Sequence, residues 1–253
     1  MLTWLHVTFS VIECCSIIGI IFYKEHMGIP VHTISFSEFE SLCSNAEILR
    51  WKNSFPRLMR HNDNLISKIW AKQKKPSSDW IYPYYLRFVR NARKLHSRGI
   101  IAPNVQSITK VKKTGIQIVT YEELPGASVR EIIKHDTDMV PLRELGLFIA
   151  ILHKKGIFFT SLHLGNIIRL DSGDFGIIDI ANTHFFLMPL GIYSRARNLS
   201  HLLSYKDDMA LLCQKTNGDI VEVYLNHLSI SSQEKERLFK LIQKKLKTRI
   251  SNQ

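Results

Sequence analysis

Two short apolar segments on either side of a polar turn constrain this chain more than any other feature of its sequence. Residues 167–170 (Ile-Ile-Arg-Leu) and 175–178 (Phe-Gly-Ile-Ile) surround residues 171–174 (Asp-Ser-Gly-Asp), which predicts a tight β-hairpin. Such a hairpin brings Asn166, which precedes the first strand, close to Asp179, which follows the second. An Asn and an Asp held together offer hard oxygen ligands to Mg²⁺, which keeps several waters and needs few protein ligands. The segment therefore predicts a magnesium site suited to the phosphates of a nucleotide.

The composition fits a globular protein with an unusual charge. The chain has 253 residues, enough for one sizeable domain or two small ones, and its apolar content of 45% and charged content of 22% are ordinary. The net charge of +12 predicts attraction to an anionic partner. Charge alone does not choose among a nucleotide, a nucleic acid, an anionic lipid and a phosphorylated glycan.

The cysteines give no sign of a metal or disulfide framework. The four cysteines, Cys14, Cys15, Cys43 and Cys213, include no Cys-x-x-Cys pair and no Cys/His cluster with zinc spacing. This pattern favours a reducing cytoplasm and argues against a structural metal.

The N-terminal segment, residues 1–26, differs from the rest of the chain. It is mostly apolar, but Glu13 lies in its middle, where a charge would be costly in a bilayer. Three interpretations compete: a weak membrane anchor, a buried helix, or sequence upstream of a true start at Met27. The last is preferred, because residues 28–30 (Gly-Ile-Pro) begin a more ordinary pattern.

Local patterns predict strands and helices in the first half of the chain. The predicted helices are residues 36–50 and 83–98, the predicted strands are 65–70, 105–108 and 116–121, and turns or loops are predicted at 61–64 and 72–78. In the second helix Leu86, Ala92 and Leu95 are expected to face inward, and Gly99 suits its C-terminal end. Residues 122–126 (Glu-Glu-Leu-Pro-Gly) then interrupt the pattern as a linker would.

The second half is expected to be mainly helical. Its predicted helices are residues 128–133, 142–155, a region from 194 onward, and a last helix that begins near residues 231–232. Together with the hairpin and the strands of the first half, these elements predict an α+β protein.

Several motifs, taken in order, resemble those of the lipopolysaccharide core kinases (Kdo and heptose kinases), in the branch known as toluene tolerance proteins, within the protein-kinase-like superfamily. The resemblance runs from about Asn64 to Leu203, and its motifs are residues 65–68, 121–126, 161–166, 176–179 and 195–199. It implies a bilobal fold with a β-rich N-lobe at residues 27–121 and a helical C-lobe at 122–253.

The resemblance assigns the metal site to two residues. Asn166 and Asp179, thirteen positions apart, match the superfamily residues that hold Mg²⁺ on the β- and γ-phosphates of ATP. Asp174-Phe-Gly spells the metal motif of protein kinases but lies too close to Asn166, inside the predicted turn. Asp174 is therefore expected to be a turn residue.

The resemblance also implies a nucleotide site. Lys68, on a predicted strand, resembles the lysine that binds the α- and β-phosphates, with Lys72 as the alternative. Backbone groups of residues 119–124, in particular those of Glu122 and Leu124, correspond to the segment that faces adenine.

The resemblance places two further residues, Ser161 and His163, in the catalytic loop of the family. Ser161 stands where the relatives mostly have the Asp that acts as a base or orients the acceptor hydroxyl, and a serine cannot take a proton at neutral pH. His163 stands where many kinases have a lysine near the γ-phosphate, and it is the residue that could replace the missing base.

The resulting expectation is an ATP- and Mg²⁺-dependent kinase that phosphorylates a sugar hydroxyl of the lipopolysaccharide core. Its partner would be an anionic glycolipid or core sugar, and it would be a cytoplasmic monomer, peripheral at the inner face of the inner membrane. The alternative is a catalytically impaired pseudokinase that binds or regulates envelope-biosynthesis proteins. A nucleic-acid binder using the basic helix 83–98 is not expected, because no recognition motif accompanies that helix.

Overall fold

A computed structural model describes residues 28–71, 79, 82–135, 142–215 and 220–250. The N-terminal segment 1–26, the proposed start Met27 and the basic loop with Lys72 lie outside the described residues. The chain divides into two compact units: Met1–Arg90 with Asn104–Glu123, and Asn91–Pro103 with Leu124–Gln253. The sequence predicted one boundary, between residues 121 and 122. The chain passes from one unit to the other at three places, after Arg90, Pro103 and Glu123.

The first unit is built on a six-stranded sheet. Its elements are β1 Val31–Ile34, α1 Phe36–Ser44, β2 Glu47–Lys52, β3 Phe55–Arg60, β4 Leu65–Ala71, the first half of α2 Tyr84–Ser97, β5 Val105–Val111 and β6 Ile116–Glu122. The strand order is β1-β5-β6-β4-β3-β2. The strands pair antiparallel except β1, which is parallel to β5.

A hydrophobic cluster packs against this sheet. Phe39 of α1 meets Met59 of β3, Ile69 of β4 and Ile118 of β6, all of them buried. Because side chains alternate along a strand, one face of each strand reaches the cluster. The capping box between Ser35 and Glu38 fixes the start of α1.

The predicted helix over residues 36–50 is wrong beyond its first nine residues. Helix α1 ends at Ser44, and residues 47–52 form β2, which pairs antiparallel with β3. Asn53 and Ser54 both have positive φ, near 51° and 57°, which is the backbone of a tight two-residue hairpin turn. Pairing with β3 therefore overrides the helical spacing of the apolar residues here.

The other predictions for this region are confirmed. Strands β4, β5 and β6 include the three predicted strands, and Asn64 lies in the predicted turn with φ 57°. Helix α2 corresponds to the predicted helix 83–98, and Leu86, Ala92 and Leu95 are buried as expected.

The second unit combines helices with short strands. Its elements are the second half of α2, β7 Gly126–Ser128, α3 Val129–His135, α4 Leu142–Lys154, β8 Ile157–Phe159, β9 Ile167–Leu170, β10 Phe175–Ile177, β11 Thr183–Phe185, α5 Ile192–Leu202, α6 Lys206–Lys215, α7 Ile220–Asn226 and α8 Ser232–Ile250. Strands β10, β9 and β7 form one small sheet, and β11 and β8 form another.

The predicted helices of the second half are confirmed. Helices α3, α4, α5 and α8 lie where the sequence placed them, within two residues. Leu145, Ile149 and Leu152 form the buried stripe of α4, which ends at Gly156 with φ 68°. Ser231 and Glu234 form the capping interaction that begins α8.

These elements make the protein a member of the α+β class, as the sequence predicted. Within the described ranges, no helix has both the length and the apolar character that crossing a membrane requires.

Candidate functional site

The segment from β8 to β11 folds back on itself in the second unit. Strand β8 pairs with β11, and β9 pairs with β10 with Ile177 opposite Ile167. The loop after β8 contains Ser161 and ends in a 3₁₀ turn, Leu164–Asn166, and the link after β10 contains Asp179 and a second 3₁₀ turn, Ile180–Asn182. The two links therefore lie at the same end of the β9–β10 hairpin.

The hairpin confirms that Asn166 and Asp179 are brought together in the backbone. The amide of Ile178 donates to the carbonyl of Asn166 at 3.0 Å, so Asp179 is the next residue along from a residue bonded to Asn166. Whether the two side chains share a metal ion stays a prediction.

The side chain of Asn166 is buried and oriented by its own loop. Its Nδ2 donates to the carbonyl of Ser161 at 2.9 Å, and its backbone amide donates to the carbonyl of His163 at 3.0 Å. Because Nδ2 is directed at Ser161, Oδ1 is the atom of this carboxamide that can serve as an acceptor or ligand.

Asp179 has a left-handed backbone, with φ 57° and ψ 46°. This conformation is uncommon for residues other than glycine, although Asp tolerates it better than most, and it persists where the surroundings fix it. The segment that follows is fixed on two sides: Thr160 Oγ1 donates to the carbonyl of Asn182 at 2.6 Å, and Asn91 bonds the same segment.

Asn91, on α2, is fully buried. Its Nδ2 lies 2.8 Å, 3.1 Å and 3.2 Å from the carbonyl oxygens of Ile180, Ala181 and Thr183. The sequence offered a signal for this residue that the helix prediction did not use: Asn91 is a polar residue four positions before Leu95, and so on the inward face of α2.

The donor set fits Mg²⁺. Asn166 Oδ1 and the Asp179 carboxylate are hard oxygen donors, the kind that Mg²⁺ prefers. Among the described residues, no group of three His, Cys, Asp or Glu side chains has the arrangement of a metal site. An ion bound by Asn166 and Asp179 would thus take the rest of its ligands from phosphate and water.

Asp174 lies in the hairpin turn, as predicted. Its carbonyl accepts from the amide of Leu170 at 2.9 Å, and Ser172 Oγ donates to its carboxylate at 2.9 Å. It therefore stands at the opposite end of the hairpin from Asn166.

His163 belongs to a polar cluster that sequence reasoning missed. Arg130 of α3 pairs with the buried Asp208 of α6 at 2.6 Å, and its Nη2 lies 3.4 Å from His163 Nδ1. Asp208 also accepts from the amide of Leu164 at 2.8 Å. The His163 ring packs against Tyr205, with ring centroids 4.8 Å apart. No local signal could reveal this cluster, because its members come from three separate parts of the chain.

The Arg130 contact has a consequence for the ring of His163. Arginine has no acceptor atom, so in this contact His163 Nδ1 is the acceptor. The neutral ring then carries its proton on Nε2, as a hydrogen-bond donor. Gly165 allows Arg130 this position, because a Cβ atom there would lie 2.9 Å from Arg130 Nη1.

Lys68 lies on β4 in the first unit. Its Nζ is 5.6 Å from the centroid of the Phe88 ring on α2 and 5.7 Å from that of Trp70. These are cation–π distances. Helix α2 contains no acidic residue, and in this contact it presents the aromatic ring of Phe88 to Lys68.

Glu122 and Leu124 lie at the end of β6 and just after it. The amide of Glu122 donates to the carbonyl of Asn104 at 3.1 Å, and its carboxylate accepts from the side chains of Asn104 and Gln106. Leu124, in the second unit, packs where a side chain on Gly176 would clash: a Cβ atom there would lie 2.9 Å from Leu124 Cδ1.

A buried hydrogen-bonded chain supports the loop after β8. Arg195 donates to the hydroxyl of Tyr224 at 3.1 Å, that hydroxyl lies 2.7 Å from His153 Nδ1, and His153 Nε2 lies 3.1 Å from Asn198 Oδ1. Asn198 in turn bonds both the amide and the carbonyl of Phe159, the last residue of β8. Burial lowers the pKa of His153 to about 3 and raises the pKa of Tyr224 to about 12, so the histidine is neutral and the tyrosine keeps its proton.

Comparison with known proteins adds no family to this description. No protein-family model matches the chain, and no curated protein shows significant similarity to it. The described residues form an α+β protein in which a hairpin pairs Asn166 with the residue before Asp179.

Proposed function

We propose that this protein is an ATP-dependent, Mg²⁺-requiring kinase with a protein-kinase-like bilobal fold. In this proposal the first unit is the N-lobe and the second is the C-lobe. The observation that carries it is the Ile178–Asn166 backbone bond at 3.0 Å, which aligns Asn166 with the residue before Asp179 across the hairpin. Phosphoryl transfer depends mainly on positioning and charge stabilisation, so a rigid pair of oxygen ligands is its first requirement.

The side chains have distinct proposed roles. Asn166 Oδ1 and the Asp179 carboxylate would hold Mg²⁺, which when bound neutralises charge on the β- and γ-phosphates. Lys68 would bind the α- and β-phosphates. Because the Glu122 amide is bonded to Asn104, Glu122 would contact adenine through its carbonyl oxygen, together with the backbone of Leu124.

His163 and Ser161 would act at the transferred phosphate and the acceptor. With its Nδ1 accepting from Arg130, His163 would contribute a donor, the role that a lysine has in many kinases. Ser161, whose carbonyl orients Asn166, would line the acceptor site.

The proposed acceptor is a sugar hydroxyl of the lipopolysaccharide core at the cytoplasmic face of the inner membrane. The net charge of +12 supports an anionic glycolipid.

A second candidate function is that of a pseudokinase that binds partners in envelope biosynthesis. Two observations favour it. Ser161 cannot act as a base at neutral pH, and no glycine lies between Gly28 and Gly99 to bring backbone amides close to phosphates.

A thermal-shift titration with Mg·ATP tests the nucleotide site. A ligand at about 100 times its Kd stabilises the native state by about 2.7 kcal/mol, or about 5–10 °C in Tm for a chain of this size. Asp179→Asn, which tolerates the left-handed backbone, should abolish the shift. Asp174→Asn, at the other end of the same hairpin, is the matched control and should preserve it. An equal shift in the Asp179 variant would contradict the proposed metal site.

Transfer of labelled phosphate separates the two candidate functions. Incubation with labelled ATP, Mg²⁺ and deacylated lipopolysaccharide core should label the core if the protein is a kinase of this class. A Tm shift without labelling would favour the pseudokinase, and the absence of both would reject nucleotide binding altogether.

A further inference from the structure

Three consecutive apolar side chains of the second unit are exposed in one loop. Phe186, Leu187 and Met188, which we name the apolar tip, are 48%, 102% and 73% exposed. Tyr193, at the start of α5, is 59% exposed. Single exposed apolar residues are common on protein surfaces, but three in succession are not explained by folding.

The chain holds the apolar tip in place on both sides. The amide of Phe186 donates to the carbonyl of Gly156 at 2.8 Å, and the amide of Leu190 donates to the carbonyl of His153 at 2.9 Å. Gly156 allows this close approach, because a Cβ atom there would lie 2.5 Å from the Phe186 carbonyl oxygen and 2.7 Å from that of Met188. The exposure of the tip is thus built into the fold.

Cations surround the base of the apolar tip. Arg98 donates to the carbonyl of Phe186 at 3.0 Å and to the carbonyl of Lys155, and the Lys155 ammonium donates to the backbone carbonyl of Arg98. Arg98 and Lys94 also lie over the ring of Phe185, at 5.1 Å and 5.5 Å from its centroid. We name Lys94, Arg98 and Lys155 the basic collar.

A second aromatic–cation pair follows a few residues later. Arg237 of α8 donates to the hydroxyl of Tyr193 at 3.0 Å and lies 5.7 Å from its ring centroid. Tyrosine is typical of the membrane–water interface, because its ring is apolar and its hydroxyl polar.

We propose that the apolar tip and the basic collar dock this protein onto the surface of an anionic lipid bilayer. The tip would enter the interfacial region while the collar contacts lipid headgroups, the arrangement that gives peripheral proteins both apolar and electrostatic attraction. An apolar tip alone would suit a protein partner equally well. Arg98, which is bonded to the backbone of the tip itself, and the two lysines of the collar favour a negatively charged surface. This inference does not depend on the kinase proposal.

Lipid titration of the full chain tests the contribution of the tip. Partition coefficients are measured with vesicles of phosphatidylcholine alone and of phosphatidylcholine mixed with phosphatidylglycerol in equal parts. We expect binding to the anionic vesicles, reduced about 10-fold or more by the double variant Leu187→Ser/Met188→Ser. Trp51→Ser, which removes a 59% exposed apolar side chain from β2, is the control and should change the coefficient little.

A second pair of variants tests the collar. Lys94→Gln/Lys155→Gln should reduce binding to the anionic vesicles by about 5-fold for each charge and leave binding to neutral vesicles unchanged. The control Lys52→Gln/Lys112→Gln removes the same charge from exposed positions of the first unit. All these variants share the rest of the chain. The ratio of a variant's partition coefficient to that of the wild type therefore reports the contribution of the substituted residues alone.

The proposal is overturned if the wild type does not bind anionic vesicles, or if the Leu187/Met188 variant binds them as well as the wild type. A concentration-dependent dimer in sedimentation velocity, lost in that variant without any vesicle binding, would instead assign the tip to a contact between two copies of the chain.

Discussion

At the scale of single residues, one buried carboxamide donates to the backbone that follows Asp179. Asn91 Nδ2 is directed at three carbonyl oxygens in the four residues that include the 3₁₀ turn after Asp179. In the described part of the chain, the Oδ1 atom of Asn91 and the Oγ1 atom of Thr183 are buried without a hydrogen-bond partner. The Nδ2 group of Asn91 is thus hydrogen-bonded, whereas the hydroxyl of Thr183 is not.

This difference predicts opposite results for two substitutions that keep shape and remove polarity. Asn91→Leu should lower the free energy of unfolding by about 1–3 kcal/mol, because it leaves buried carbonyl groups without a donor. Thr183→Val should change it by less than about 0.5 kcal/mol, or raise it, because it removes an unpaired buried hydroxyl. Urea denaturation of both variants and the wild type measures the effect. Equal losses in the two variants would show that packing, rather than the Asn91 hydrogen bonds, matters here.

The residues of the candidate site could be predicted only where the residues that are brought together lie close to each other in the sequence. Asn166 and Asp179 are joined by a short hairpin whose turn residues are visible in the sequence, so the strand pairing was predicted correctly. Arg130 and Asp208 contact His163 and Leu164 from helices 33 and 44 positions away. Contacts over such distances depend on tertiary packing, which the periodicity of a single segment does not contain.

At the scale of elements, His153 joins four segments of the second unit. It lies on α4, contacts Tyr224 of α7 and Asn198 of α5, and through Asn198 reaches the end of β8. Burial is the main reason that its pKa falls from 6.5 to about 3; the hydrogen bond that His153 donates to Asn198 opposes the shift and the charge of Arg195 adds to it.

This shift predicts a loss of stability in acid. Between pH 6.5 and about pH 3 the unfolded chain binds a proton at His153 that the folded protein does not bind. Stability should therefore decrease as the pH falls through this range, with a contribution of about 1.4 kcal/mol per pH unit from this residue. Denaturation at several pH values, with His153→Gln compared against the exposed His32→Gln, measures it. The slope should flatten in the first variant alone, and an unchanged slope would mean that His153 is protonated in the folded state.

Elements with their own end signals were predicted well, whereas β2, which depends on a partner strand, was not. Helix α8 carries its capping residues, and α2 and α4 are each followed by a glycine of positive φ, so their limits could be read from the sequence. Strand β2 lies in a stretch whose apolar spacing also suits a helix, and only its pairing with β3 decides between the two. The sequence therefore predicted the α+β class while placing one strand inside a helix.

At the scale of the whole molecule, charge and apolar exposure act over different distances. The net charge of +12 attracts the chain to any anionic surface, over a range that salt shortens. The apolar tip acts only on contact, and its contribution does not depend on screening. The sequence revealed the charge directly but not the tip, because residues 186–188 look like any other short apolar stretch until their exposure is known.

Salt therefore should separate the two contributions in the vesicle experiment. Raising the salt concentration from 0.1 M to 1 M shortens the Debye length from about 10 Å to about 3 Å. Partition coefficients on anionic vesicles should fall steeply over this range for the wild type. The Leu187→Ser/Met188→Ser variant should give a parallel line of lower affinity, because its charge is unchanged, whereas Lys94→Gln/Lys155→Gln should give a shallower one. Wild-type binding that does not vary with salt would contradict the electrostatic part of the proposal, since cations that contact lipid headgroups must be screened along with the rest of the charge.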